Sequence, residues 1–276
     1  MTVLLGVAHG SRDEGAQHVV DRLLSTAAAL RPGLRAAAAY VDNAAPSIAA
    51  ALARLVADGV DDIAVVPLLL TSASHAKTDI AGSVQAGRLA HPGLRLRYGR
   101  PLGPHPALVT VLARRLAEAG AHDDPVVLAA GGSLDPDANA QVAATARLLW
   151  EGRSFPSVDV AFASTTGPSV VEALERLRLL GFRRAAVARY FLGPGRLPRS
   201  VELAAGGVAD LQVVVSAPLG VTDEIAGLLL ERYDEARGGD IRMNCDACLY
   251  RVPFPGRESV VGAPQAPHSH PDDVAP

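Results

Sequence analysis

The sequence predicts an α/β protein of two tandem domains, each a mainly parallel four-stranded sheet flanked by helices. Two observations predict it. Strand-length apolar runs alternate with helical patterns along most of the chain, which is the signature of a parallel sheet covered on both faces. The alternation also occurs twice, in a register of 122 residues. Val7-Ala8-His9-Gly10-Ser11-Arg12-Asp13 aligns with Ala129-Ala130-Gly131-Gly132-Ser133-Leu134-Asp135, and Pro46-Ser47 falls on Pro168-Ser169, Arg54-Leu55 on Arg176-Leu177 and Gly59 on Gly181. The register holds through Leu70 and Leu192. After a five-residue slip, Pro101-Leu102-Gly103 meets Pro218-Leu219-Gly220. A register kept over most of each half marks a duplicated domain.

Each element follows from the local pattern. Val3–Ala8 is a continuous apolar run of strand length, and a helical pattern covers Glu14–Leu30. Leu34–Val41 is the second strand, and Pro46 is expected to open the second helix, where its missing N–H costs nothing. Ile63–Leu70, rich in Val and Leu, is the third strand. Helix Thr78–Leu89, strand Leu94–Tyr98 and helix His105–Ala119 complete the first half. Strands near Val126–Ala130, Val158–Ala163, Ala185–Leu192 and Leu211–Ser216, each followed by a helix, repeat the plan. The acidic stretch before Pro125 is the junction. The domains are therefore expected at 1–122 and 123–237, with a tail at 238–276 whose six prolines from Pro253 to Pro276 suit a partly disordered end.

Composition narrows the function. Lys and Arg total 26 against 29 Asp and Glu, so the chain lacks the positive excess of a general nucleic-acid binder. No apolar run is long enough to span a bilayer, and MTVLLGVAHG lacks the basic start of a signal peptide. Two cysteines make no disulfide framework. A cytoplasmic protein is expected, free of nucleic acid and membrane, either a monomer with pseudo-dimeric halves or a homodimer.

Ligands of parallel α/β sheets bind beyond the carboxyl ends of the strands. Past the first strand comes His9-Gly10-Ser11-Arg12, past the second Asp42-Asn43, past the third Thr71-Ser72-Ala73-Ser74-His75-Ala76-Lys77, and past the fourth Arg100 and His105. Imidazoles, a carboxylate and several cations thus share one rim. Neutral imidazole is a general base near neutral pH and a ligand for borderline divalent metals. No HExxH or Cys-rich zinc pattern, phosphate loop or nucleophile elbow follows the first strand, which disfavours tight zinc, nucleotides and a serine hydrolase. On the second half's rim, Gly131 stands opposite His9 and Leu197 opposite His75, so that half reads as a degenerate scaffold.

The HGSR loop, the PLLLTSASHAKTDI segment and the G-x-PLG-x-HP segment resemble the sirohydrochlorin chelatases, the class II cobalto- and ferrochelatases, in their long two-domain form. The resemblance implies two tandem chelatase-like domains and a lyase that inserts Co²⁺ or Fe²⁺ into sirohydrochlorin without ATP, for cobalamin or sirohaem synthesis. It implies that His9 and His75 bind the metal and that His9 is the proton acceptor. It implies that Asp42, where the family usually carries the longer Glu, and Leu70, Thr71, Ser72, Ala73 and Ser74 contact substrate. Sirohydrochlorin carries many carboxylates, which makes Arg12, Lys77 and Arg100 candidates for binding them. Cys245 and Cys248, in an MxCxxC tail like that of some long members, are candidates for an iron–sulfur cluster or a redox pair. The alternative is a non-catalytic metal- or tetrapyrrole-binding carrier, which would keep the histidines without turnover.

Overall fold

The computed structural model describes residues 1–153, 155–241, 256 and 258–261. Cys245, Cys248 and most of the proline-rich tail lie outside the described residues. The first repeat contains β1 (Val3–Ala8), α1 (Glu14–Leu30), β2 (Ala36–Tyr40), α2 (Ile48–Ala57), β3 (Asp62–Pro67), a π-helical turn (His75–Ile80) running into α3 (Ala81–Ala90), β4 (Arg95–Tyr98) and α4 (Pro106–Glu118). The second contains β5 (Val126–Ala130), α5 (Pro136–Glu151), β6 (Val158–Phe162), α6 (Val170–Leu179), β7 (Arg184–Arg189), α7 (Arg196–Ala205), β8 (Gln212–Val215) and α8 (Asp223–Gly238). The strands form two parallel sheets, β2-β1-β3-β4 and β6-β5-β7-β8, as the repeat predicts.

β1 is central because all six of its residues are apolar or Gly and can be covered on both sides. Val3, Leu5 and Val7 point into one cluster with Ile48, Leu52 and Leu55 of α2 and Val84 of α3. Gly6 points the other way, where a Cβ would stand 2.8 Å from Leu24 of α1. The second sheet repeats this with Val127 and Ala129 against Val170, Leu174 and Leu177 of α6 and Val201 of α7.

Helix starts are set by side-chain acceptors for the first N–H groups. Asp13 caps α1, Asp135 caps α5 and Ser169 caps α6, its own N–H donating in return to the Glu172 carboxylate. Pro46 does not open α2. Ser47 is its cap, and Pro46 precedes the helix with its carbonyl accepting the Tyr40 N–H. An orphan N–H is better served by the Ser47 hydroxyl than by a proline that only omits a donor. β3 ends at Pro67 rather than Leu70, because the chain leaves the ladder after the Leu68 N–H bonds Val7 O (2.7 Å).

The compact units do not coincide with the linear repeats. One unit is Met1–Leu102 with α8 from Ala226, and the other is Gly103–Ile225, so each takes the last helix of the other repeat. In the first unit Arg232 of α8, 1% exposed, donates to Pro101 O (3.0 Å) and Leu102 O (3.2 Å). Tyr233 donates to Thr2 O (2.7 Å), and Arg31–Asp234 and Arg100–Glu235 are two-pronged ion pairs. In the second unit Arg115 of α4 donates to Leu219 O (3.1 and 3.0 Å), and Arg114 pairs with Glu224. The spacing that relates Leu102 to Leu219 also relates Arg115 to Arg232, so both repeats use one anchor, reciprocally.

These pairs carry an acid sensitivity. The arginine hydrogen bonds hold Asp234 and Glu235 below the usual carboxylate range and pull Glu224 down to about 2. A carboxyl whose folded pKa is depressed stabilises the fold above its unfolded value and loses that contribution as pH falls through the folded one. Asp234 and Glu224 are screened by solvent, so the buried-side partner Glu235 dominates. The melting temperature is expected to fall between about pH 4 and pH 2, and Glu235→Gln is expected to flatten that fall. Parallel thermal scans of the two proteins across this range check it.

Candidate functional site

The site grows from the loop after β1. Gly10 has φ +101, and a Cβ there would stand 1.6 Å from Asp42 O, so only glycine lets the β1 and β2 loops touch. The touching loops are joined by the Asp42 N–H donating to His9 O (2.8 Å). Ser11 Oγ accepts the Asp13 N–H (3.0 Å) and belongs to the turn that leads into α1. The His9 ring turns Nδ1 to Gly10 O (3.2 Å); a carbonyl only accepts, so Nδ1 carries the proton and Nε2 the lone pair.

The segment after β3 supplies the second imidazole. Leu70, Thr71, Ala73 and Ser74 are half-buried and Ser72 is buried. The chain then enters the π turn, a form that recurs at functional sites. The Tyr98 hydroxyl donates to Ala76 O, and the Thr78 hydroxyl to Ser74 O (2.7 Å). Enclosure of its ring and, second, the Asp79 charge push the Tyr98 phenol above its ordinary pKa. His75 Nδ1 donates to Asp79 Oδ2 (2.7 Å).

The His9 and His75 rings meet edge to face, with centroids 4.4 Å apart and planes at 89°. A ligating ring's centroid stands roughly 3 Å from its metal, so this separation suits two adjacent ligands of one ion. Among the described residues, no three His, Cys, Asp or Glu side chains form a ready set of metal ligands.

The other residues singled out by sequence fall as follows. Asp42 lies beside His9, and its two carboxylate oxygens accept from Asn43 N and Nδ2 (both 2.7 Å). Arg12 is exposed at the start of α1. Lys77 is buried in the π turn, and Arg100 is held by both oxygens of Glu235. His105 serves as the cap of α4, its Nδ1 accepting the Ala107 N–H, in the second unit. Sequence reasoning passed over Asp79, although its spacing of four residues from His75 puts the two on one helical face.

The second unit keeps this plan with Gly131 and Leu197 in place of the two imidazoles. The Ser164 N–H donates to Gly131 O (3.1 Å), as Asp42 does to His9. Gly132 has φ +88, and a Cβ there would stand 2.0 Å from Ser164 O. Where His9 and His75 meet, Leu197 Cδ1 lies 3.5 Å from the position of a Cβ on Gly131.

Gly10 and Gly132 separate fold from function. Alanine at either is expected to cost at least about 1–3 kcal/mol of backbone strain, to which the overlap with the Asp42 or Ser164 carbonyl adds, seen as a lower melting temperature. Only Gly10→Ala displaces an imidazole, so it alone is expected to slow chemistry on the rim, by about tenfold or more. Melting curves and rates of the folded variants check this.

Over 91% of its length the chain is 30% identical to a sirohydrochlorin cobaltochelatase of Priestia megaterium, spanning 85% of that protein. It is 29% identical to a sirohydrochlorin ferrochelatase of the same organism, over 83% of this chain and 88% of that one. Among solved structures, SirB from Bacillus subtilis with Fe³⁺ superposes with a TM-score of 0.74 at 28% identity, covering 87% of this chain and 97% of that one. The family model named CbiX matches residues 3–119 and again 125–236, one copy on each repeat. With the pattern present twice and spanning most of its length, the chain belongs to the CbiX family.

Proposed function

We propose that the protein is a sirohydrochlorin chelatase that inserts Co²⁺ or Fe²⁺ into sirohydrochlorin on the rim of its first unit, without ATP. The observation that carries the reading is the His9–His75 pair, two imidazoles in edge contact whose Nδ1 atoms are both committed to acceptors. Both rings then offer Nε2 to the metal, which is substrate here. Two neutral ligands hold an ion loosely and leave positions open for exchange with ring nitrogens. Insertion releases two pyrrole N–H protons as the metal bonds to the ring nitrogens; an imidazole that has given up the metal accepts one of them and the other passes to the second imidazole or to water. The same ligands suit either metal.

The segment Leu70–Ser74 and Asp42 border the histidines and face the macrocycle in this reading. Arg12, exposed at the start of α1, is the cation assigned to substrate carboxylates. The second unit is scaffold, and Cys245 and Cys248 take no part in insertion. The test is to mix the purified protein with sirohydrochlorin and Co²⁺ or Fe²⁺ and follow the visible spectrum. Multiple turnovers of metallated product are expected. A spectral change that stops at one equivalent of protein would mark a carrier instead, and no change would overturn the reading.

A further inference from the structure

The two histidines are backed differently. His9 Nδ1 donates to a neutral carbonyl at 3.2 Å, whereas His75 Nδ1 donates to a carboxylate at 2.7 Å, the short distance of a charge-assisted bond. That carboxylate is 8% exposed, and its other oxygen lies 3.0 Å from the Thr78 hydroxyl. A carboxylate behind a ligating imidazole locks the ring's tautomer and direction and strengthens its lone pair.

The second repeat shows what Asp79 serves. Its register places Leu197 at His75 and Val201 at Asp79, and Val201 is a fully buried member of the second core. There the segment is a regular α-helix, α7, with no π turn. Histidine, carboxylate and π turn have disappeared together, while the strand before them and the helix itself remain. A carboxylate needed by the fold would have stayed with the fold; this one went with the imidazole.

We propose that Asp79 is a positioning residue for metal binding, which holds the His75 imidazole with its proton on Nδ1 and its lone pair on Nε2, and that the π turn exists to set the two side chains together. This rests on the chelatase reading only in treating His75 as a metal ligand. The experiment measures Co²⁺ binding by calorimetry without sirohydrochlorin, and the His75 tautomer by ¹⁵N NMR, in Asp79→Ala, Asp79→Asn and Tyr98→Phe. Tyr98→Phe removes a different hydrogen bond to the same turn and serves as the control for local packing.

Asp79→Ala is expected to weaken Co²⁺ binding about 10- to 100-fold and to lose the fixed Nδ1–H form. Asp79→Asn, whose amide oxygen still accepts, is expected to fall between it and the parent. Tyr98→Phe is expected to leave the tautomer unchanged. If Asp79→Ala does not fold, Asp79→Asn decides on the same two readouts. Co²⁺ affinity within about twofold of the parent with an unchanged tautomer would overturn the proposal, as would equal losses in Asp79→Ala and Tyr98→Phe. Failure of the chelatase reading looks different: the parent protein would then leave sirohydrochlorin unmetallated, whatever its affinity for Co²⁺. Loss in His75→Ala with none in Asp79→Ala would remove Asp79 alone.

Discussion

Alanine at His9 or at His75 is expected to slow metal insertion at least about a hundredfold, the scale of a lost positioned base or ligand. The two losses should not multiply. The rings stand 4.4 Å apart and, in the proposed function, share one ion, so removing either would leave a single imidazole to hold it. A double variant is therefore expected to be little slower than either single one. His9 and His75 are both half-buried in the segments that carry them and lie outside the hydrophobic core, so both variants are expected to fold. Initial rates with sirohydrochlorin and Co²⁺, together with melting curves, check this. Near-parent turnover in either single variant would remove the pair from the mechanism.

A chain ended after Thr222 is expected to lose insertion altogether, although it keeps His9, His75 and every other residue of the candidate site. It lacks α8, which completes the unit that carries the histidines. Leu228, Leu229 and Tyr233 are buried, and burial of each such side chain contributes about 1.5–3 kcal/mol. Without Arg232 the carbonyls of Pro101 and Leu102 also exchange their donor for water, at about 0.5–1.5 kcal/mol for each hydrogen bond. The sum takes up most of the 5–15 kcal/mol that holds an ordinary domain together. Circular dichroism should show a broad, low transition in the shortened chain. A sharp melt near that of the parent, with insertion retained, would contradict the role given to α8.

Much of the fold could be read from the chain because it is written locally. β1 and α1 occupy the residues expected, since six apolar residues and a capped amphipathic run admit few alternatives. The two histidines stand out in the chain because their loops follow buried strands. The exchange of α4 and α8 could not be read, because a helix with one apolar face has the same pattern whichever sheet it covers. Arg100 was expected at substrate carboxylates and is held by Glu235, a partner 135 residues away that no local pattern reveals. The π turn was invisible for a different reason: six residues are too few to separate its period from that of an α-helix. Asp79 was in plain view at four residues from His75, but its meaning came from the 2.7 Å bond and from Val201 in the other repeat.

The exchanged helices also set an order of events during synthesis. Domains of a growing chain commonly fold one after another from the N-terminus. Here the unit bearing the histidines cannot close when Leu102 leaves the ribosome, because Arg232 and Tyr233 have not yet been made. The second unit, whose segment ends at Ile225, is complete first. The N-terminal sheet must wait as an open, partly covered surface through more than a hundred further residues, a window in which chaperones and proteases compete for it.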